Sequence, residues 1–353
     1  MAIIKAIIAT DPPAPTSTPF TFDMSENAAQ RNAKILEEHD YDMTKVINEF
    51  QDSHIGYGSE FRAPSILEPL LIRSPFWPEV KKSLTSGAKY PLTRINNRQR
   101  IADLHDAIRR GNHKSAKENN SILSNIVSNE VSCGFQLPTT VDSLFHIPHT
   151  VIAPYGLVSQ QSINEHGEII EKFRNTHDQS FKYSSGKSVN DRVKQEELTD
   201  LFYGDALLRT LHYIHNLRFH HPSTPILIGK YDFKSAYRRL TTWGHTSAAS
   251  TTIIDGIAYI SLRLTFGGSP CPPLWCSISE LITDLANDIL ECKEWDPSST
   301  HSPHHTKVPS PKLLMATEAF GKARPSDVNI PLRTCGKVDC FIDDLIQVAL
   351  EKK

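Results

Sequence analysis

Apolar positions recur with several different periods along this chain, and each period predicts an element. Between Glu26 and Phe50 they return every three or four residues, the spacing of one helical face. The same spacing runs through IADLHDAIRRGNHKS, residues 101–115, where Gly111 stands as a helix stop. Leu198, Leu201, Phe202, Leu208, Leu211, Ile214 and Leu217 predict an amphipathic helix over 195–218, and residues 273–292 predict another. Strand-like runs lie between them. Residues 151–176 read as a hairpin turning at Glu165-His166-Gly167, PILIGKYDF (225–233) as a strand closing on Asp232, and TTIIDGIAYISLRL (251–264) as two strands about an Asp-Gly turn. The final run, VDCFIDDLIQVALEKK, is apolar on both sides of Asp343 and Asp344. Two adjacent carboxylates there repel each other unless a cation stands between them; a water-facing acidic turn is the plainer alternative.

Composition changes this picture little. A chain of 353 residues, 39% hydrophobic and 22% charged, has the make-up of a globular protein of one large or two to three smaller domains. A formal net charge of −2 leaves no bulk electrostatic case for nucleic acid or membrane. A local case exists over 81–117, where Lys81, Lys82, Lys89, Arg94, Arg98, Arg100, Arg109, Arg110, Lys114 and Lys117 face only Asp103 and Asp106. Such a stretch either tracks phosphates or forms solvated helix faces.

The six cysteines show no paired spacing and read as reduced thiols. MAIIKAIIAT is too short for a signal peptide, and nothing later approaches a membrane span. An intracellular protein, cytoplasmic or nuclear, is expected. DPPAPTSTP (11–19) belongs to a disordered linker over 1–20, followed by a mainly helical extension over 21–144. Residues 293–337, rich in Pro, Ser and His, read as a flexible insertion, with His301, His304 and His305 solvent-exposed rather than metal-binding.

Asp232 ends one apolar strand and Asp343 tops a hairpin. Brought together from distant sequence, they suit two Mg²⁺ ions bridging an attacking hydroxyl and a triphosphate. Three stretches then carry a specific resemblance. KYDFKSAYRRL resembles the first palm motif of reverse transcriptases, LTFGGSPCPPLWCSI the second and CFIDDLIQV the third. The second aligns without a gap to the L-P-F-G-x-S-x-x-P-x-x-F pattern of long-terminal-repeat and DIRS-like retroelement polymerases: Gly267, Ser269 and Pro272 match, Trp275 stands for the aromatic, and Thr265 departs from the usual proline. Phe341 replaces the tyrosine of the Y-x-D-D box. Upstream, GEIIEKFRNTHDQSFKYSSGKSVNDRV resembles the fingers stretch, through Lys172, Arg174, Asp178 and Ser188-Val189-Asn190.

This resemblance, over about 150–350, implies an α/β right-hand polymerase fragment with fingers at 145–220 and palm at 221–353. It implies an RNA-directed DNA polymerase of a retroelement, transferring deoxynucleotides from their triphosphates onto a primer paired with an RNA or DNA template. Asp232, Asp343 and Asp344 would be catalytic and metal-binding, for two Mg²⁺ ions with Mn²⁺ as a substitute. Lys172 and Arg174, two apart on one strand face, would meet the triphosphate. Phe233 would turn its carbonyl to a metal, and Tyr237 would lie under the incoming sugar and exclude a 2′-hydroxyl. Gly267 and Gly268 would let the backbone approach a base pair. In the family the palm continues past this hairpin into a thumb, so the resemblance implies a truncated hand with Leu345, Ile346 and Val348 partly exposed. Two other readings use the same residues: a decayed or domesticated palm that binds nucleic acid without catalysis, and an RNA-directed RNA polymerase, which Tyr237 disfavours.

Overall fold

The structure, a computed structural model, describes residues 15–163, 167–201, 203–292 and 336–351. The linker up to residue 14, the turn residues Glu165 and His166, Phe202, and the stretch 293–335 with its three histidines lie outside them. Helix and sheet are mixed. Helices α1 (Glu26–Glu38), α2 (Met43–Glu49), α3 (Pro64–Leu71), α4 (Trp77–Ser86), α5 (Asn97–Arg110), α6 (Lys114–Glu118) and α7 (Asn120–Ser132) lead into strand β1 (Gln136–Thr140) and the short α8 (Ser143–His146). Then come β2 (Tyr155–Ile163), β3 (Ile169–His177), α9 (Ala206–His220), β4 (Ile226–Asp232), α10 (Gly244–Ala248), β5 (Thr251–Ile254), β6 (Ile257–Ser261), α11 (Cys271–Glu291), β7 (Gly336–Phe341) and β8 (Asp344–Leu350). No helix among the described residues is long and apolar enough to cross a membrane, and the five described cysteines are free.

Local chemistry sets the boundaries. The helical run expected over Glu26–Phe50 breaks at Asp40 and Tyr41, both at positive φ. Asp42 then caps α2 by accepting the Thr44 and Lys45 amides. Gly111 closes α5 at φ 68°, as the sequence predicts. Asp255 and Gly256, both at positive φ, make the two-residue turn between β5 and β6.

The helix predicted over 195–218 is shorter and turned. It starts at Ala206, after 3-10 turns at Gln195–Glu197 and Tyr203–Asp205. It buries Ala206, Thr210, Tyr213 and Leu217, while Leu201, Leu208 and Leu211 stay exposed. Arg209 sets this rotation: its Nε donates to Asp339 of β7 at 2.8 Å and its Nη2 at 2.6 Å. A buried carboxylate with a two-pronged partner outweighs the pull of two leucines on the opposite face.

Three antiparallel sheets result, β1-β6-β5, β2-β3 and β4-β8-β7. The stretch 21–144 does not pack on its own. Leu36, Met43, Val46 and Leu104 share a core with Ala258, Ile260 and Leu262, and Trp77, Val80 and Leu84 share another with Leu240, Leu264 and Trp275. On the third sheet Val348 is buried against Tyr213 and Leu217, contrary to the exposure expected of it. Among the described residues, the exposed large apolar side chains of that sheet are Leu227, Ile228 and Tyr231 on edge strand β4 and Phe341 at the end of β7.

The basic stretch 81–117 forms no continuous stripe. Lys81 pairs with Glu68 at 2.7 Å, Lys114 with Glu118 at 3.6 Å, and Arg109 with Asp106. Arg100 turns inward and donates to the carbonyls of Leu144, Phe145 and Ile147. Arg110 lies over the Phe181 ring.

Candidate active site

The antiparallel register places Asp232, last residue of β4, directly opposite Asp344, first residue of β8. Ile342 and Asp343 form the two-residue turn between β7 and β8. The Phe233 amide donates to the Asp343 carbonyl at 3.0 Å, so the end of β4 is tied to that turn by backbone alone. From α11, the Trp275 Nε1–H donates to the Ile342 carbonyl at 3.1 Å, and the Trp275 ring meets Phe233 edge-on at 5.6 Å. Three stretches far apart in sequence therefore converge on one hairpin tip. Ile342 sits at φ 56°, where a β-branched residue is strained by about 1–3 kcal/mol. The Trp275 hydrogen bond and the paired strands hold it there.

The electrostatics of the tip are unbalanced. Asp232 is exposed and Asp343 half-buried. The Asp343 carboxyl is held above its usual range by burial first, then by Asp232 and Asp344; Arg174 opposes the rise. Arg174 belongs to β3, so the β2-β3 hairpin brings a cation to the carboxylates. Lys172 lies on the same face, two residues nearer the hairpin tip, and both side chains are exposed.

Asp344 is engaged by Lys230, Nζ to Oδ2 2.8 Å, which lifts the lysine above its ordinary pKa. Sequence reading missed Lys230. Its signal was the alternation: two residues before Asp232 on a strand, it becomes the diagonal cross-strand neighbour of Asp344.

Hard carboxylate oxygens carrying more negative charge than their neighbours neutralise fit a divalent cation such as Mg²⁺ or Mn²⁺. Asp232 and Asp343 could hold one, with Asp344 shared with Lys230. Among the described residues no group of three or more His, Cys, Asp or Glu side chains is gathered closely enough to form a metal cage. The tip presents an exposed carboxylate, Asp232, beside a half-buried one, Asp343.

Tyr237 follows Ser235 (φ 58°) in a 3-10 turn and is only 9% exposed, its ring 5.0 Å from Phe266. Burial holds its phenol above the ordinary pKa. Its neighbour Arg238, which sequence reading passed over, is a buried anchor. It grips Glu130 of α7 at 2.7 Å and donates to Ser261 Oγ at 3.0 Å.

Gly267 and Gly268 pack against the chain itself. Gly267 is at φ 120°, and a Cβ there would collide with the His177 carbonyl oxygen; one at Gly268 would meet the Tyr90 hydroxyl at 2.5 Å. Asn190, from the S-V-N stretch, clasps this loop by donating to the Gly267 carbonyl and accepting the Ser269 amide, each at 2.8 Å. Asp178 is not brought to the carboxylates. It takes the His113 ring at 2.9 Å.

The raised Asp343 carboxyl gives a pH expectation. A proton on it competes with a cation, so Mn²⁺ binding weakens on acidification from a pH above that of an ordinary aspartate. In the metal-free protein the linkage runs the other way: the stability this carboxyl contributes is full below its unfolded pKa and is lost as pH rises through the folded value. Arg174→Ala removes the opposing cation and should move the acidic limb of Mn²⁺ binding to higher pH. Mn²⁺ titrations followed by electron paramagnetic resonance at several pH values check this; superimposable profiles for parent and variant would show that Arg174 does not act on Asp343.

No protein-family model matches the chain, and no curated protein matches it. Among solved structures it is similar to the native crystal structure of prototype foamy virus protease-reverse transcriptase, at 12% identity and a TM-score of 0.33, over 67% of this chain and 20% of that one. It is also similar to the foamy viral protease-reverse transcriptase dRH in complex with double-stranded DNA, at 12% identity and a TM-score of 0.33, over 76% of this chain and 29% of that one. The chain thus spans less than a third of the length of either.

Proposed function

We propose that this chain is the fingers and palm of an RNA-directed DNA polymerase, with fingers at 145–220 and palm at 221–353. The observation that carries the reading is the backbone tie between Phe233 and Asp343, locked by Trp275, which gathers the three motif stretches on one acidic tip. Asp232 and Asp343 hold Mg²⁺, with Asp344 beside them and the Phe233 carbonyl as a further oxygen. The bound ions lower the charge barrier between a primer 3′-hydroxyl and the α-phosphorus of a deoxynucleoside triphosphate. Arg174 and Lys172, on one face of β3, take the β- and γ-phosphates, a fork and a point charge whose pull strengthens as charge builds on the leaving pyrophosphate. Primer and template bind along the same face.

The test is primer extension by the full chain, at low salt, on RNA and DNA templates with Mg²⁺ or Mn²⁺. Incorporation of deoxynucleotides that depends on the metal supports the reading. Retention of labelled primer-template with no incorporation indicates a palm that binds without catalysis. Preference for ribonucleotides indicates RNA synthesis.

Tyr237 supplies a sharper expectation. Its ring, packed on Phe266 close under the acidic turn, is the steric stop for a 2′-hydroxyl. Tyr237→Val should raise ribonucleotide use relative to deoxynucleotide use by about ten- to a hundredfold, since removing a clash of this size is worth about 1–3 kcal/mol. Single-turnover incorporation of matched ribo- and deoxynucleotides measures the ratio. A ratio that does not move takes the gate away from Tyr237.

A further inference from the structure

A second cationic site lies around Arg192, lined by none of the carboxylates above. The segment from Ala88 to Arg94 builds it. On one side its backbone is tied to the chain entering α10: the Trp243 amide donates to the Ala88 carbonyl at 3.0 Å, and the Tyr90 amide to Thr246 Oγ1 at 3.0 Å. On the other side it is tied to the loop after Asn190, the Thr93 amide donating to the Arg192 carbonyl at 2.8 Å and the Lys194 amide to the Pro91 carbonyl at 2.9 Å. Between these ties open two clefts of about 210 and 250 Å³ that share Arg94, His149 and Arg192 in their walls. His245 lines the first and Arg100 the second.

No Asp or Glu lines either cleft. From outside the clefts Asp103, which also accepts the Ser185 amide, acts on Arg192, and Asp42, which caps α2, acts on His245. Arg192 is only 4% exposed. Its Nε donates to the Thr93 carbonyl at 2.9 Å, and among the described residues its two terminal nitrogens have no hydrogen-bond partner. They are free to face the clefts that Arg192 lines. Arg100, by contrast, spends its donors on carbonyls and lends the cleft charge alone. The His149 and His245 rings lie 4.1 Å apart. Burial, helped by His245 and the three arginines, pushes His149 down to about 4. Donors that open on a cleft without a fixed partner, beside two further guanidiniums, are placed to take an anion.

We propose that this cleft binds a phosphate group. One carboxylate would neutralise only one of the three guanidiniums, whereas a phosphate carries up to two charges and offers acceptors to the forks of Arg192 and Arg94 together. Tyr90 and Trp243 line the wall beyond the basic residues, an apolar surface suited to the sugar or base that a phosphate ester carries. The phosphate arrives either free or as a link in a polynucleotide strand. The site does not depend on polymerase activity and stands or falls separately.

The experiment titrates inorganic phosphate into the full chain in a chloride buffer, by calorimetry and by the ring-proton resonances of His149 and His245. Saturable binding that shifts both histidines is expected. Arg94→Gln, an exposed position whose change leaves packing intact, should weaken phosphate by about ten- to a hundredfold, the worth of a charged hydrogen-bonded contact. Arg192→Lys, which keeps the charge and loses the fork, should weaken it as well; if that variant fails to fold, Arg94→Gln decides alone. A single-stranded oligonucleotide that displaces phosphate from the histidines identifies a strand as the source, and one that does not identifies free phosphate. Absence of saturable binding, or binding to Arg94→Gln as tight as to the parent, overturns the proposal.

Discussion

Replacing Asp232 by Asn should lower metal-dependent nucleotide incorporation by about a thousandfold or more, and Asp343→Asn should do the same. An amide keeps the shape and loses the charge that a hard divalent cation needs, and a loss of this size corresponds to about 4 kcal/mol of transition-state stabilisation. Neither change should unfold the protein. Asp232 is exposed at the end of an edge strand, and Asp343 is a carboxylate whose ionised form the fold disfavours, so its amide relieves repulsion with Asp232 and Asp344. Thermal midpoints of the metal-free variants should therefore equal or exceed that of the parent. Asp344→Asn is the informative comparison. It breaks a pair with Lys230, which is mostly exposed, worth no more than about 1 kcal/mol. Its effect on incorporation should be the mildest of the three, because that carboxylate is already shared. Activity within tenfold of the parent for Asp232→Asn or Asp343→Asn would falsify the assignment of the acidic tip as a metal-dependent active site.

What the sequence made legible was period and punctuation. The β2-β3 hairpin, the Asp-Gly turn, α11 and the closing hairpin all have short-range signals, and each lies where its pattern placed it. The neighbourhood of Asp232 and Asp343 was legible as well, because strand ends and hairpin tips bring acids to one sheet edge. Partners chosen by tertiary packing were not. The leucines of α9 predicted a buried face that Arg209 overrode through Asp339, a residue some 130 positions away in sequence with no local mark of burial. Arg238 and Glu130 are likewise ordinary surface types until the fold encloses them. The basic stretch 81–117, left open by the sequence between a phosphate track and solvated faces, is divided by the fold. Its charges are close in sequence, but α4, α5 and α6 point them in different directions, and nearby acids or carbonyls take up several of them.

Gly267 shows how far a residue's environment can differ from the reason a motif suggests for it. The motif reading gives its missing side chain to a base pair; in the fold that space belongs to the His177 carbonyl oxygen, and φ 120° is closed to other residues. Gly267→Ala therefore meets two penalties, backbone strain of about 1–3 kcal/mol and a collision with backbone that cannot swing aside as a side chain can. The loop could move away only by releasing the Asn190 clasp on Gly267 and Ser269, and with it the His177 amide that donates to the Phe266 carbonyl at 2.9 Å. A total loss of about 3–5 kcal/mol is expected, or about 4–7 °C in thermal midpoint for a chain of this size. Gly186→Ala separates the two penalties. Gly186 has a positive φ of 70° with open space where a Cβ would point, so it should lose only the strain, about 1–2 kcal/mol. Midpoints from urea melts of the two variants make the comparison. Equal losses would mean that the collision is relieved at no cost, and that the loop before α11 can shift away from β3, leaving room there for a ligand after all.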